Sequence, residues 1–313
     1  MRIWLWMMVF FIAAFAHAQQ ESQQREIADI AINAQGSIYV LDHARDEVLL
    51  LDKDGKLVKK GSLAGIDGAQ SNSWQLVQLT SPVVVAAISS NGLGVRDVTD
   101  PEAIRSIFPP VAAHTDRVLG MDGRGRVYYP NKEMNRVERY KVGDETPSVI
   151  SDPGIGVKDD VVVTCDLAID GKVDGPAHFA GPHRVDVDGL GNIWILDQSY
   201  TENVFDSNGK FLRGIKAPDP KNRSFTYIVG MESDKAGNTY LACQETRSVL
   251  KYDKDGKLAK TINTKIWARA FGLDGDGKLY LADAFYQTPD YKRVPAIKVF
   301  DQSGNLVRVI IVQ

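Results

Sequence analysis

Five stretches of the chain share one pattern of apolar and polar positions: "IAINAQGSIYVLD", "LGMDGRGRVYYPN", "VDVDGLGNIWILD", "MESDKAGNTYLAC" and "FGLDGDGKLYLAD". Each reads as a short apolar strand, a turn with glycine at its fourth place, and a strand of alternating apolar residues. The anchoring glycines are Gly36, Gly125, Gly191, Gly237 and Gly277. Six positions after each stands Asp42, Asn131, Asp197, Cys243 or Asp283. A second hairpin follows in most units: "VLLLDKDGKLV", "VFDSNGKFL", "LKYDKDGKL" and "KVFDQSGNLV". There Gly55, Gly209, Gly256 and Gly304 hold the turn position that needs positive φ. A degenerate copy lies between Trp74 and Phe108, where "WQLVQL", "VVVAAIS", "GLGVRDV" and "AIRSIF" make four strands.

The second strands therefore begin near Ser37, Val83, Arg126, Asn192, Asn238 and Lys278, a period of about 44 residues with one interval about 22 longer. Period-2 alternation without long 3.6-period stretches excludes a helical solenoid. A β-sandwich would not repeat one glycine offset five times. The expected fold is all-β: a six-bladed β-propeller of four-stranded antiparallel blades around a central channel. The blades fall at about 27–62, 73–108, 116–151, 183–216, 226–263 and 268–312, with an insertion at 152–182. The sixth unit supplies four strands of its own, so whether Arg25 to Ile27 adds to it stays open at this point.

These units resemble NHL repeats. "GPHRVDVDGLGNIWILD" followed by "NVFDSNGKFLRG" is the best match, and every blade except the second follows the pattern well. The resemblance is specific for the fold and weak for function, because propellers host unrelated activities.

The opening "MRIWLWMMVFFIAAFAHAQQESQQ" changes the picture of location. Arg2, the apolar run Ile3 to Phe15 and Ala16-His17-Ala18 have the form of a secretory signal peptide (1–18), cut before Gln19. The run is shorter than the roughly 20 residues of a spanning helix, so no integral membrane segment is expected after cleavage. Residues 19–26 read as a disordered leader, and the protein as exported, periplasmic or extracellular. The formal charge of −3 is spread over interspersed residues of both signs. No basic cluster suggests nucleic acid as a partner.

In such a blade the first-to-second and third-to-fourth turns share one face, and all the tight glycine turns fall there. The longer connections share the other face, where function is expected. His183 enters the innermost strand of blade four on that face. The same frame position holds Ala28, Arg117, Val229 and Arg269 elsewhere. Likeness to the NHL-type propellers of the amidating lyases implies zinc held by histidines from several blades. A zinc site takes about three protein ligands, and here His114 and His178 would have to join His183. The gluconolactonase-type propellers imply calcium instead, without ligands that can be assigned here. No cofactor is required by the pattern; zinc or calcium are the metals these likenesses would bring. Asp42, Asp197 and Asp283 read as caps of the loops that follow them. The "DKDGK" turns lack the distal glutamate of a calcium loop and read as hairpins.

Arg117 and Arg269, with Arg184 beside His183, suggest a cationic channel mouth that concentrates anions. Trp74, Tyr227 and Trp267 precede or begin inner strands and offer stacking surface. The competing expectation is that these arginines pair with acids such as Asp116, Asp186 or Glu232. The insertion is expected as a lid over the channel. Its Cys165 and the strand-end Cys243 are the two cysteines after the signal, and an even count in an exported chain suggests a disulfide between them.

Three readings follow. The first is an exported, non-catalytic propeller binding a small anionic ligand or a protein partner at the channel mouth. The second is a propeller enzyme, a lyase or lactone hydrolase, in which His183 acts as acid/base or metal ligand while Arg117 and Arg269 stabilise negative charge. The third is an envelope scaffold with no small-molecule site.

Overall fold

A computed structural model describes residues 25–62, 74–78, 83–89, 92–97, 104–106, 120–121, 126–132, 134–143, 162–172, 175–197, 201–215, 227–284, 286–290 and 292–312. Among them the chain is all β, in six four-stranded antiparallel sheets. The first sheet is β1 (Ile27–Ile32), β2 (Ile38–Asp42), β3 (Glu47–Leu51) and β4 (Leu57–Ser62). The second is β5 (Trp74–Gln78), β6 (Val83–Ser89), β7 (Gly92–Asp97) and β8 (Ile104–Ser106). The third is β9 (Gly120–Met121), β10 (Val127–Asn131), β11 (Arg136–Gly143) and β12 (Val162–Asp170). The fourth is β13 (Arg184–Val187), β14 (Ile193–Leu196), β15 (Glu202–Phe205) and β16 (Phe211–Ile215). The fifth is β17 (Ile228–Ser233), β18 (Thr239–Cys243), β19 (Ser248–Tyr252) and β20 (Leu258–Asn263). The sixth is β21 (Ala268–Leu273), β22 (Leu279–Asp283), β23 (Ala296–Phe300) and β24 (Leu306–Ile311). Every sheet is one continuous stretch of chain in meander order.

The aspartates that accompany the turn glycines explain why the hairpins form. Asp188 Oδ1 accepts the N–H groups of Leu190 and Asn192, and Gly191 N–H donates to the Asp188 carbonyl with Gly191 at φ 84°. That is an Asx turn closed by a left-handed glycine, a conformation costly for a residue with a Cβ. The other oxygen, Asp188 Oδ2, accepts the Trp194 indole N–H at 3.0 Å. Asp234 and Asp274 take the hydroxyls of Tyr240 and Tyr280 in the same way, both at 3.1 Å. One aspartate thus fixes the turn and ties it to the aromatic residue that fills the strand above.

The sheets pack face to face. The core lies in the seams between neighbours, for example Trp194, Leu196, Val204 and Ile215 of the fourth sheet against Leu241, Cys243, Leu250 and Tyr252 of the fifth. The inner strands β1, β5, β9, β13, β17 and β21 touch in chain order, and β21 returns to β1. The outer seams repeat one contact. A Cβ on Gly209, Gly256, Gly304 or Gly55 would meet Leu167, Arg213, Ile262 or Ile310 of the preceding sheet. Nearby, a cation crosses to the next sheet's tight turn. Arg139 reaches the Ser207 carbonyl at 2.5 Å, Arg213 that of Lys254 at 2.5 Å, and Lys260 that of Gln302 at 2.6 Å. Arg308 lies 4.0 Å from Asp54, so the sixth sheet meets the first as other neighbours meet.

Three expectations change. The segment 152–182 is not simply an insertion between blades three and four. Its residues Val162–Asp170 are the outer strand of the third sheet, paired along β11 from Arg136↔Asp170 to Gly143↔Val162. The extra length therefore falls between β11 and β12, at the tight-turn end, and the expected lid over the connection face loses its basis. The long stretch of sequence between the third and fourth strands hid the outer strand from the 44-residue period. Second, Arg25 and Glu26 belong to the fold rather than to a disordered leader. Arg25 is buried and bridges Asp42 at 2.6 Å and Glu47 at 3.0 Å. It does not extend the sixth sheet, because β1 pairs within its own sheet. Third, Cys243 is a buried free thiol. Cys165 lies on β12, and the whole fourth sheet stands between the two. A disulfide needs Cα atoms within about 7 Å, whereas stacked sheets are about 10 Å apart; an even count of cysteines carries no such geometry.

Candidate functional site

Two clusters occupy the end of the ring that carries the longer connections and its inner edge. The first is at the inner strands. Asp29 on β1 and Arg184 on β13 both stand seven residues before their anchor glycines. Asp186 on β13 and Glu232 on β17 both stand five before theirs. Three sheets thus bring three carboxyl groups around one guanidinium, close enough for their charges to act on one another. Burial pushes the Asp186 carboxyl up to about 7, with Asp188 adding to the rise and Arg184 opposing it. Burial also pushes Glu232 well above the ordinary range, helped by the negative charges of Asp186 and Asp29. Arg184 is itself pushed down by burial against the pull of Asp29, Asp186, Glu202 and Glu232. Among the described residues the inner edge holds Arg184 among acids; Arg117, another arginine expected at the mouth, lies outside them. The competing expectation, that the arginine beside His183 serves channel acids, describes Arg184.

The second cluster is a cleft of about 300 Å³ between the sixth and first sheets, where Arg25, Glu26, Arg269, Asp283, Tyr286 and Arg293 meet Pro295. Arg269 is exposed and ion-paired with Glu26, which projects from the segment entering β1. Asp283, at the end of β22, is bridged to Lys298 at 2.7 Å, and the same ammonium lies 5.3 Å from the Tyr286 ring. The loop 284–295 supplies Tyr286 and Arg293. Its bridge Gln287↔Arg293 folds it back as a hairpin at the cleft edge.

The remaining expected residues are placed as follows. His183 is half-buried just before β13, and its backbone N–H donates to Leu196 O at 3.1 Å. Tyr227 and Trp267 immediately precede β17 and β21, two residues before the frame position of His183, their carbonyls accepting from Gln244 and Ala284. Tyr227 is exposed, and Trp267 carries the Arg247 guanidinium 5.7 Å above its ring. Trp74 begins β5, with its side chain outside the described residues. His178 is exposed; its backbone N–H donates to the Gly175 carbonyl and its own carbonyl accepts from Asn203, both at 3.1 Å. His114, Arg117 and Asp116 lie outside the described residues. Among the described residues no group of three or more His, Cys, Asp or Glu is arranged to hold a metal ion. Asp42 and Asp197 are caps: Asp42 accepts from Glu26 and Ala44 N–H, and Asp197 from Ala180 and Thr201 N–H.

Sequence reasoning missed Arg293, Tyr286, Asp29 and Glu202. The first two sit in a connection without repeat character. Asp29 was readable as a frame-mate of Arg184. Glu202 was hidden by a loop one residue shorter than in the first, third and fifth sheets.

Known proteins supply the context. No protein-family model matches the chain, and no curated protein sequence matches it. Solved structures do. A streptogramin B lyase aligns with TM-score 0.56 and 12% identity over 93% of this chain and 85% of that one. A selenomethionine form of virginiamycin B lyase from Staphylococcus aureus aligns with TM-score 0.57 and 13% identity over 93% and 86%. A catalytically inactive variant of that lyase with quinupristin gives 0.56 and 13% over 91% and 84%. Among the described residues no helix is long and apolar enough to cross a membrane. At these identities the likeness shows the architecture alone: the chain has a β-propeller fold similar to that of virginiamycin B lyase-type proteins.

Proposed function

We propose that the chain is an exported, six-bladed NHL-type propeller that binds a small anionic ligand in the cleft between its sixth and first blades. The observation that carries this reading is the cleft itself, where Arg269 and Arg293 stand beside Tyr286 in about 300 Å³. That volume is at the lower end of ligand pockets. Guanidinium groups meet carboxylate or phosphate bidentately, and a tyrosine offers the adjoining stacking face. Titration calorimetry with small carboxylates, sugar acids and inorganic phosphate tests the reading. At least one class is expected to saturate at one per chain, and Arg269→Gln with Arg293→Gln to weaken it at least about tenfold, or about 1.4 kcal/mol. No saturable binding from any class would defeat it. Export predicts a mature protein beginning at Gln19, read by N-terminal sequencing of periplasmic material.

The inner-edge carboxyl groups favour a second reading, an enzyme of the lyase kind. Asp186 and Glu232 are at the same frame level on adjacent inner strands, with elevated proton affinities beside an arginine. Such a pair can hold one proton between a general acid and a general base. Incubation with a streptogramin B such as quinupristin, followed by mass spectrometry, separates the readings. Conversion of quinupristin to a chromatographically distinct product that is lost in Asp186→Asn would replace the binder by the enzyme.

A further inference from the structure

The register of the sheets puts Glu202 in a place that belongs to the core. It pairs with Leu196, the residue five after the anchor glycine. The residues at that place in the first, third, fifth and sixth sheets are Val48, Val137, Val249 and Ile297, all buried. Each of these β-branched side chains faces the next sheet, and Val137, Val249 and Ile297 belong to the clusters that fill those seams. In the fourth sheet a carboxyl group stands there, with no exposed surface and no hydrogen-bond partner for either oxygen.

Its surroundings are specific. Arg184, Leu196, Glu202 and Ile215 form one row across β13, β14, β15 and β16, all on the face that packs against the fifth sheet. Neighbouring strands are about 4.8 Å apart, so a guanidinium side chain on Arg184 can span the single leucine toward Glu202. From the fifth sheet, Cys243 on β18 and Tyr252 on β19 face the carboxyl, and each is raised in part by its charge. Asp186 on β13 is the other acid whose charge acts on it; Glu232 on β17 interacts with Asp186, and Arg184 acts on all three. Arg213 on β16 shares the face two residues along but is committed to the Lys254 carbonyl and lies 6.0 Å from the Trp194 ring centre.

We propose that Glu202 is a proton-operated switch that decides where Arg184 spends its charge. Neutral, the Glu202 carboxyl is tolerated in the seam, and Arg184 serves Asp29, Asp186 and Glu232 at the inner edge. Ionised, it takes Arg184 as its partner across Leu196, and the inner carboxylates are left without their cation. Neither form gains or loses any group except the one proton. Burial, which disfavours the charged form, holds Glu202 near pH 8, where the exchange occurs.

The test uses the mature protein, with Glu202→Gln, which keeps the shape, and Glu202→Val, which installs the residue of the sister sheets. Infrared difference spectra between pH 6 and pH 9 are expected to show, beside the losses from Asp186 and Glu232 common to all three proteins, a protonated-carboxyl component lost in wild type and absent from both variants. An identical band in wild type and variants, or none in any, overturns the assignment to Glu202. Arg184→Gln tests the partner: the band is expected to persist at least one pH unit higher than in wild type. An unchanged midpoint overturns the exchange. Should Arg184→Gln fail to fold, Arg184→Lys serves, with a smaller shift in the same direction.

Discussion

The first and fourth sheets bury charge in opposite ways. In the first, Arg25 enters ahead of β1 and meets Asp42 and Glu47, while Glu26 N–H caps the other Asp42 oxygen. Burial still pushes the Asp42 carboxyl up, but the nearby guanidinium opposes it. In the fourth, Ala180 stands at the frame position of Arg25 and gives Asp197 only a backbone N–H. Glu202, one place further into the core, has no hydrogen-bonded cation at all. The same scaffold therefore holds one finished ion cluster and one buried acid whose charge is unmatched. Matched charges fix a structure, whereas an unmatched one makes it responsive to its surroundings.

Breaking the finished cluster should have the largest effect. Arg25→Met leaves Asp42 buried beside Glu47 without the guanidinium that bridges them, and a loss of about 3–5 kcal/mol is expected in urea unfolding. The opposite sign is expected at the unmatched site. The folded-state affinity of Glu202 for its proton exceeds that of the unfolded chain, so its contribution is neutral below pH 4.5 and becomes destabilising up to about pH 8. Glu202→Val should therefore gain stability over wild type by about 2–4 kcal/mol more at pH 8 than at pH 4.5, read from unfolding curves at the two pH values. Asp186, raised to about 7, adds a slope of the same sign in both proteins.

At the tight turns the two sheets are alike, and the contrast should shrink. Gly55→Ala and Gly209→Ala each force a Cβ into left-handed backbone, at about 1–2 kcal/mol. Gly55→Ala should be the worse, since its Cβ would meet Ile310 at 2.6 Å against 3.1 Å to Leu167 for Gly209. The smallest effect belongs to Arg269→Gln. Its pair with Glu26 is half exposed, so stability should change by less than about 1 kcal/mol while anion binding falls.

What the sequence displayed was whatever repeats. The glycine offsets, the positive φ at Gly55, Gly209, Gly256 and Gly304, and the aspartate caps at Asp42 and Asp197 are local, set by a few adjacent residues. β12 escaped because a long connection displaces it from the period. Glu202 escaped because the β14–β15 loop is one residue shorter: counted from Gly191, Asn203 falls where Val48 falls from Gly36, and only the register with Leu196 corrects it. The cleft escaped because its walls come from chain ends of two sheets far apart in sequence. The predicted disulfide failed for the converse reason, since cysteine number is a property of the chain and distance one of the fold.

The joint between the first and sixth sheets has a mechanical meaning. No strand is handed across it. Gly55 rests on Ile310, Arg308 approaches Asp54, and Ile30 and Ile32 close on Gly272. The described joints are likewise made by side chains, so every backbone ladder is completed inside its own sheet. Such a ring has gaskets in place of a clasp. A joint can breathe without breaking a ladder hydrogen bond, and amide exchange can stay slow while water reaches the seams. Among the described seams, the one with an acid in it, beside Glu202, is where the ring would first part as the pH rises.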